Sequence, residues 1–154
     1  MARFEVSNAK AGVNTANTIM WQFKASATSR ARIFEIGLSL AIVNSGTLPT
    51  GPSWRLQRAT ALGTSTATVS AEEQDPGGGA ATALLDTTWS TPPTLAATSM
   101  RLYATPNTMG SGIVWTWPDH RPLIVPISNG ICIVNALATG TGLGTMNCYF
   151  IFEE

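Results

Sequence analysis

The sequence predicts an all-β domain of two antiparallel sheets, and three observations carry that expectation. Apolar residues recur at every second position in short runs. Clusters of Gly, Pro, Asn and Ser separate those runs, and almost every window long enough for a helix contains a Pro or Gly. The runs are also rich in β-branched and aromatic residues, which pack well on a pleated surface and lose rotamer freedom in a helix. With 154 residues the chain is long enough for one domain that buries roughly 68–70% of its unfolded surface without a disulfide or metal. The domain is expected to span residues 1–154, with residues 1–17 as an extended N-terminal arm.

Phe4 and Val6 share a face in the first run, and Ile19, Trp21 and Phe23 share one in the second. The longest run, SRARIFEIGLSLAIV, puts Phe34, Ile36, Leu38, Leu40 and Ile42 on one side and Ile33, Glu35, Gly37, Ser39 and Ala41 on the other. One side is greasy, the other mostly small and polar. After GTLPTGPS the alternation resumes through Trp54, Leu56, Arg58, Thr60 and Leu62, and a turn at Gly63 leads into TATVSAEE. Met100, Leu102 and Ala104 alternate with Arg101, Tyr103 and Thr105. Ile113, Trp115 and Trp117 alternate with Val114 and Thr116, and LIVPI, ICIVNALA and NCYFIFEE complete about ten strands. No repeat of solenoid or propeller length is present. So many antiparallel strands with apolar inner and Ser/Thr outer faces favour a jelly-roll sandwich over an up-and-down barrel.

One stretch has no strand pattern of its own. From about residue 74 to 98 the sequence predicts a single long loop, with one helical turn at Ala80 to Asp86. Compact domains seldom carry structureless connections of that length unless they serve a function. Ordering it costs more backbone entropy than burying Leu84, Leu85, Trp89 and Leu95 returns. The expectation is an arm that clasps a neighbouring subunit through Pro76, Leu84, Leu85, Trp89, Pro92, Pro93 and Leu95.

Composition narrows the function. Charged residues are 12% of the chain and the net charge is zero, so the surface resists self-association weakly. Nine basic residues, scattered but for Arg30 and Arg32, build no phosphate-binding groove, which argues against nucleic acid. No apolar run reaches membrane-spanning length and MARFEVSNAK lacks a secretory core, so the chain is expected to be made in the cytoplasm and to have no membrane partner. Cys132 and Cys148 lie in separate apolar runs away from any CxxC, as buried thiols or, if their strands pair, as a disulfide.

Candidate chemistry is thin. His120, the only histidine, sits beside Asp119 in TWPDHRP, where two prolines favour a turn, and no GxSxG nucleophile is present. Gly140 to Gly144 precedes a strand-like segment, not the helix that a phosphate loop needs. Glu72, Glu73 and Asp75 lack calcium-loop spacing. Trp21, Trp54, Trp115 and Trp117 read as core, while Trp89 lies in the loop. No catalytic residue, cofactor or metal is expected.

Several segments in order, SRARIFEIG, AEEQDPGGGAATALLDTTWSTPPT, GSGIVWTWP, PISNGICIVN and a short aromatic C-terminal strand ending in Glu, resemble small structural proteins of tailed bacteriophages from about Arg30 to Glu154. The resemblance implies a jelly-roll virion protein on the outer capsid surface, a decoration or cement subunit that binds the major capsid protein as a homotrimer. The alternative is a tail or fibre module that binds a host-surface glycan through Trp or Tyr at its loop tips.

Overall fold

The computed structural model describes residues 2–13, 15–41, 52–74, 77, 79–106, 108–136 and 144–154. Among them are twelve strands: β1 (Arg3–Ala11), β2 (Thr18–Lys24), β3 (Ala31–Leu40), β4 (Ser53–Ala61), β5 (Thr64–Ser70), β6 (Glu72–Glu73), β7 (Leu84–Thr91), β8 (Thr94–Ala104), β9 (Gly112–Thr116), β10 (Leu123–Val125), β11 (Gly130–Asn135) and β12 (Thr145–Glu153). They form two antiparallel six-stranded sheets packed face to face, a β-sandwich. Sheet A runs β10-β3-β12-β1-β6 with β9 also on β3; sheet B runs β5-β7-β2-β11-β4-β8.

The pairing follows one rule. β1 pairs with β12, β2 with β11, β3 with both β9 and β10, and β4 with β8. The first half of the chain therefore meets the second half as one long antiparallel ribbon, and successive segments of that ribbon fall in alternate sheets. Residues 62–93 form its tip. β9 and β10 lie end to end along β3, separated by WPDHRP, since they pair with Glu35–Ser39 and Ala31–Ile33 respectively.

The inward face of each strand supplies the core. Phe4 stacks on Phe152 at 5.6 Å, Phe23 stacks on Phe150 at 5.2 Å, and Phe23 meets Phe152 edge-on at 4.8 Å, so aromatic rings from both sheets interlock. Trp21 and Trp54 lie 6.4 Å apart, and Trp115 is also buried. Burying each such side chain contributes about 1.5–3 kcal/mol.

Two β-bulges correct the expected alternation. β3 and β12 slip register between Ile151 and Phe152, which leaves Phe34 without a register partner on β12; Ile33 enters the core instead, and Phe34 turns outward beneath the guanidinium groups of Arg3 and Arg32 at 4.7 and 5.6 Å. β2 and β11 slip between Ile133 and Val134, so Met20 joins the main core and Ile19 packs on the other face of sheet B with Cys132 and Val134. Ile42, assigned to the greasy face, lies outside the described residues.

The N-terminal arm and the long loop are corrected as well. β1 is an interior strand of sheet A, paired to β12 over nine residues and to β6 beyond. The stretch 74–98 contains β7 and the start of β8, and Leu84–Asp86 opens β7 where a helical turn was expected. β7 pairs with β2 on one side and β5 on the other, so ladder hydrogen bonds stabilise a segment whose apolar side chains alone could not. β6 covers part of the β1 edge. The tip ribbon thus folds back over one flank of the sandwich and covers edges of both sheets.

Three local devices hold it there. At the corner Gly63 leaves no room for a side chain: a Cβ would stand 2.5 Å from Trp89 Cδ1 and 2.8 Å from Pro93 Cδ. The Lys10 ammonium donates to Thr87 O at 2.5 Å and Met20 O at 3.1 Å while lying over the Trp89 ring. The Glu154 carboxylate accepts hydrogen bonds from the amides of Thr82 and Ala83 and from the Thr82 hydroxyl.

Gly63→Ala should destabilise the fold by about 1–3 kcal/mol, read as a lower urea midpoint, because Trp89 and Pro93 must move. Glu154→Ala should leave the global midpoint within about 1–2 kcal/mol of wild type and selectively speed hydrogen exchange at the Thr82 and Ala83 amides.

Candidate functional site

The two flanks of the sandwich differ. On the flank of β1 and β2, the tip ribbon supplies β6 and β7 as further strands. The opposite flank ends in β8 for sheet B and in β9 and β10 for sheet A. Arg58 Nη1 donates to Ile124 O at 3.0 Å and the Arg101 guanidinium lies 4.5 Å from the Trp117 ring centroid, which ties these edges together.

The second flank is apolar. Of six large apolar side chains exposed among the described residues, Met100, Leu102, Tyr103, Met109 and Val114 fall on β8, β9 or their connection, and Ile127 alone lies elsewhere. Met109 is 75% and Leu102 63% exposed. β8 is eleven residues long, exposed over nearly all its length, and its one charge, Arg101, is engaged with Trp117. A long edge with free backbone groups and few charges is a template for pairing with another chain.

The outer face of sheet A forms a second feature. Its side chains fall in register rows: Glu5, Ile151, Glu35 and Thr116; then Ser7, Tyr149, Gly37 and Val114; then Ala9, Asn147, Ser39 and Gly112. Small residues in the last two rows leave a hollow of about 730 Å³ bounded by Glu5, Asn147, Tyr149 and Val114. The Tyr149 ring lies on Gly37, where a Cβ would fall 1.9 Å from Cε1, and its hydroxyl donates to Glu35 Oε1 at 2.5 Å. Burial, the Glu35 hydrogen bond and the charges of Glu35 and Glu5 push the Tyr149 hydroxyl up to about 12.

The contact residues expected from sequence do not form one accessible surface. Leu85 is fully buried in the main core, and Pro93 is buried against Gly63. Leu84, Trp89 and Leu95 are half-buried, Pro92 is exposed, and Pro76 lies outside the described residues. Trp89 is held inside the molecule between Lys10 and Gly63. The clasping-arm expectation is replaced by an intramolecular ribbon tip.

Other candidates resolve simply. His120 is exposed in a turn closed by Arg121 N to Pro118 O at 2.8 Å, and Glu72–Glu73 is the short strand β6. Asp75 and residues 140–143 lie outside the described residues. No group of three His, Cys, Asp or Glu among the described residues could hold a metal ion. Cys132 and Cys148 sit on strands of different sheets as free, buried thiols; burial and the Asp86 charge push Cys132 up to about 12, and burial pushes Cys148 well above its ordinary value.

Sequence reasoning missed a buried polar row. Asp86, Gln22, Cys132 and Gln57 are neighbours across β7, β2, β11 and β4, all on the outer face of sheet B and all nearly inaccessible. Lys24 Nζ pairs with Asp86 Oδ2 at 3.3 Å, while Gln22 Nε2 and Gln57 Oε1 have no protein partner. Single polar residues between apolar ones look like an ordinary solvated strand face; here Gly63 N donates to Gln22 Oε1 at 3.4 Å and Gln57 Nε2 donates to Ala96 O, so the Gly63 corner and the start of β8 lie against them.

No protein-family model matches the chain, and no curated protein or solved structure is similar to it.

The thiols set an alkaline limit. Their folded values lie above the ordinary value of 9.0, so the folded state keeps protons that the unfolded state releases. Their stabilisation is complete below about pH 9 and is lost as pH rises toward the folded values, with a slope of up to about 1.4 kcal/mol per pH unit for each thiol. Lys10, lowered by burial, acts with the opposite sign, while Tyr149, pushed up to about 12, acts with the thiols. Urea midpoints should fall between pH 8 and about 10.5, and fall less steeply in the double variant Cys132→Ala, Cys148→Ala.

Proposed function

We propose that this chain is a non-enzymatic structural subunit of a tailed-phage virion, a decoration or cement protein that binds the assembled capsid shell. The observation that carries this reading is the unequal treatment of the flanks. The tip covers edges on one side, and among the described residues the long apolar edge on the other stays open. An uncovered edge of that kind threatens solubility in a free protein but suits a subunit that ends in an assembly.

The wiring supports the reading too. A folded-over ribbon whose arms pair β1 with β12, β2 with β11, β3 with β9 and β10, and β4 with β8 supports a jelly-roll reading of the sandwich, with β5 to β7 as an addition at the tip. A low-charge, neutral surface fits dense packing on a lattice. Attachment made only on the intact shell would shift the equilibrium toward intact particles, and a cyclic homotrimer would let one sequence meet a symmetric lattice. The glycan-binding alternative has less support: Trp21, Trp54 and Trp115 are core residues, and Trp89 and Trp117 are half-buried within the body.

Purified protein should co-sediment with phage heads lacking it and raise their disruption temperature. The paired change Leu102→Lys and Val114→Lys should reduce that retention by about tenfold or more, with little effect on the melting of the free protein because both positions are exposed. Wild-type protein that ignores heads but binds host cells would favour the glycan module instead.

A further inference from the structure

We propose that the outer face of sheet A is a groove that receives an extended basic segment, carrying Arg or Lys side chains, of the shell protein to which this subunit attaches. Only the partner's identity rests on the assembly reading; the groove's preference for cations rests on its own residues.

Geometry gives the groove its length. The 730 Å³ hollow shares Glu5 and Ser7 with a second hollow of about 450 Å³ that continues past β1 to Glu72, Glu73 and Gln74. The two run across β9, β3, β12, β1 and β6, four inter-strand gaps, or about 19 Å at the usual sheet spacing. An extended peptide of about six residues spans that distance. Along the floor Ser7, Ser39 and Gly112 hold no bulky side chain that would keep a second backbone away, while Gly37 is covered by the Tyr149 ring.

Charge decides what lies there. Glu5 and Glu72 are direct cross-strand partners, and Glu35 belongs to the same transverse row. Like charges placed directly opposite each other destabilise a sheet unless a counter-charge arrives. Among the described residues none of these three carboxylates has a Lys or Arg within ion-pair distance; the neighbouring arginines Arg3 and Arg32 are bound to Glu153 and stacked on Phe34. Burial and the Glu35 hydrogen bond raise the Tyr149 hydroxyl first, and the charges of Glu35 and Glu5 add to that rise.

Tyr149 supplies the second recognition element. Its ring is fixed from below by Gly37 and at its hydroxyl by Glu35, so one aromatic face is held toward the hollow beside exposed Val114. A guanidinium or ammonium group over that face would gain a cation–π contact and an ion pair to Glu5 or Glu35 together. An anionic segment would meet three carboxylates, and a neutral saccharide would leave their repulsion unrelieved.

The test uses the intact protein and a labelled Arg-Gly-Arg-Gly-Arg peptide, with Glu-Gly-Glu-Gly-Glu and a neutral hexose oligosaccharide as competitors. The arginine peptide should bind, and should bind more weakly when salt rises from about 20 to about 150 mM. Binding should fall by about tenfold or more in Glu5→Gln combined with Glu35→Gln. Those changes keep side-chain shape and remove like-charge repulsion, so the variant should melt no lower than wild type. Tyr149→Phe, which keeps the ring, should retain binding. Absence of arginine-peptide binding, equal binding by the double variant, or equally tight binding of either competitor overturns the proposal. So does self-association that the double variant abolishes, since the occupant would then be a second copy. A double variant that loses the peptide yet attaches to heads like wild type overturns the groove's role and leaves the assembly reading intact. Peptide binding by a wild-type protein that attaches to no head would sink the assembly reading and leave the groove's chemistry standing.

Discussion

Backbone hydrogen bonding between the two halves of the chain is the constraint from which the rest of the structure follows. Each of β1 to β4 finds a partner among β8 to β12 in reverse order, so peptide groups are satisfied along one continuous ribbon. Almost none of these pairings is local in sequence; Arg3 faces Glu153 across the whole chain. Loop closure on that scale is entropically demanding and makes folding slow, but it leaves a body whose termini lie side by side in the middle of a sheet.

A ribbon folded into two sheets has edges, and the treatment of those edges links fold to function. At the tip the chain turns through Gly63 and Pro93, returns as β7 along β2, and places β6 against β1. The outer face of sheet B also carries a small second core, where Ile19 and Leu95 pack on Ala59, Cys132 and Val134 beside the polar row of Asp86, Gln22 and Gln57. Among the described residues nothing comparable covers β8. Its exposed apolar side chains stand on the flank opposite the tip, the side that the proposed assembly would complete.

Much of this was legible in the sequence because period-two alternation reports burial directly. The inward faces of β1, β9 and β12 follow that pattern, and Trp21, Trp54 and Trp115 are core as expected. It failed where a bulge inserts one residue: Phe34 and Ile19 each fall on the face opposite to the one alternation assigns. It failed again over 74–98, because β7 is half polar and its stability comes from ladder bonds to two neighbours far away in sequence. The candidate contact residues were misplaced for the same reason. Leu85, Trp89 and Pro93 looked unsatisfied only while their partners Phe23, Lys10 and Gly63 were unknown. The acidic groove was hidden because Glu5, Glu35 and Glu72 converge only through register.

Hydrogen–deuterium exchange, measured on the free subunit and on the same subunit attached to heads, tests the central claim that one flank is closed by the chain and the other by a partner. In the free protein β7 amides should be protected to nearly the global stability while the outward amides of β8 exchange freely. On attachment β8 should become protected and β7 should change little. Rapid exchange at β7 in the free protein, or a β8 edge whose exchange is the same in both states, would contradict the account.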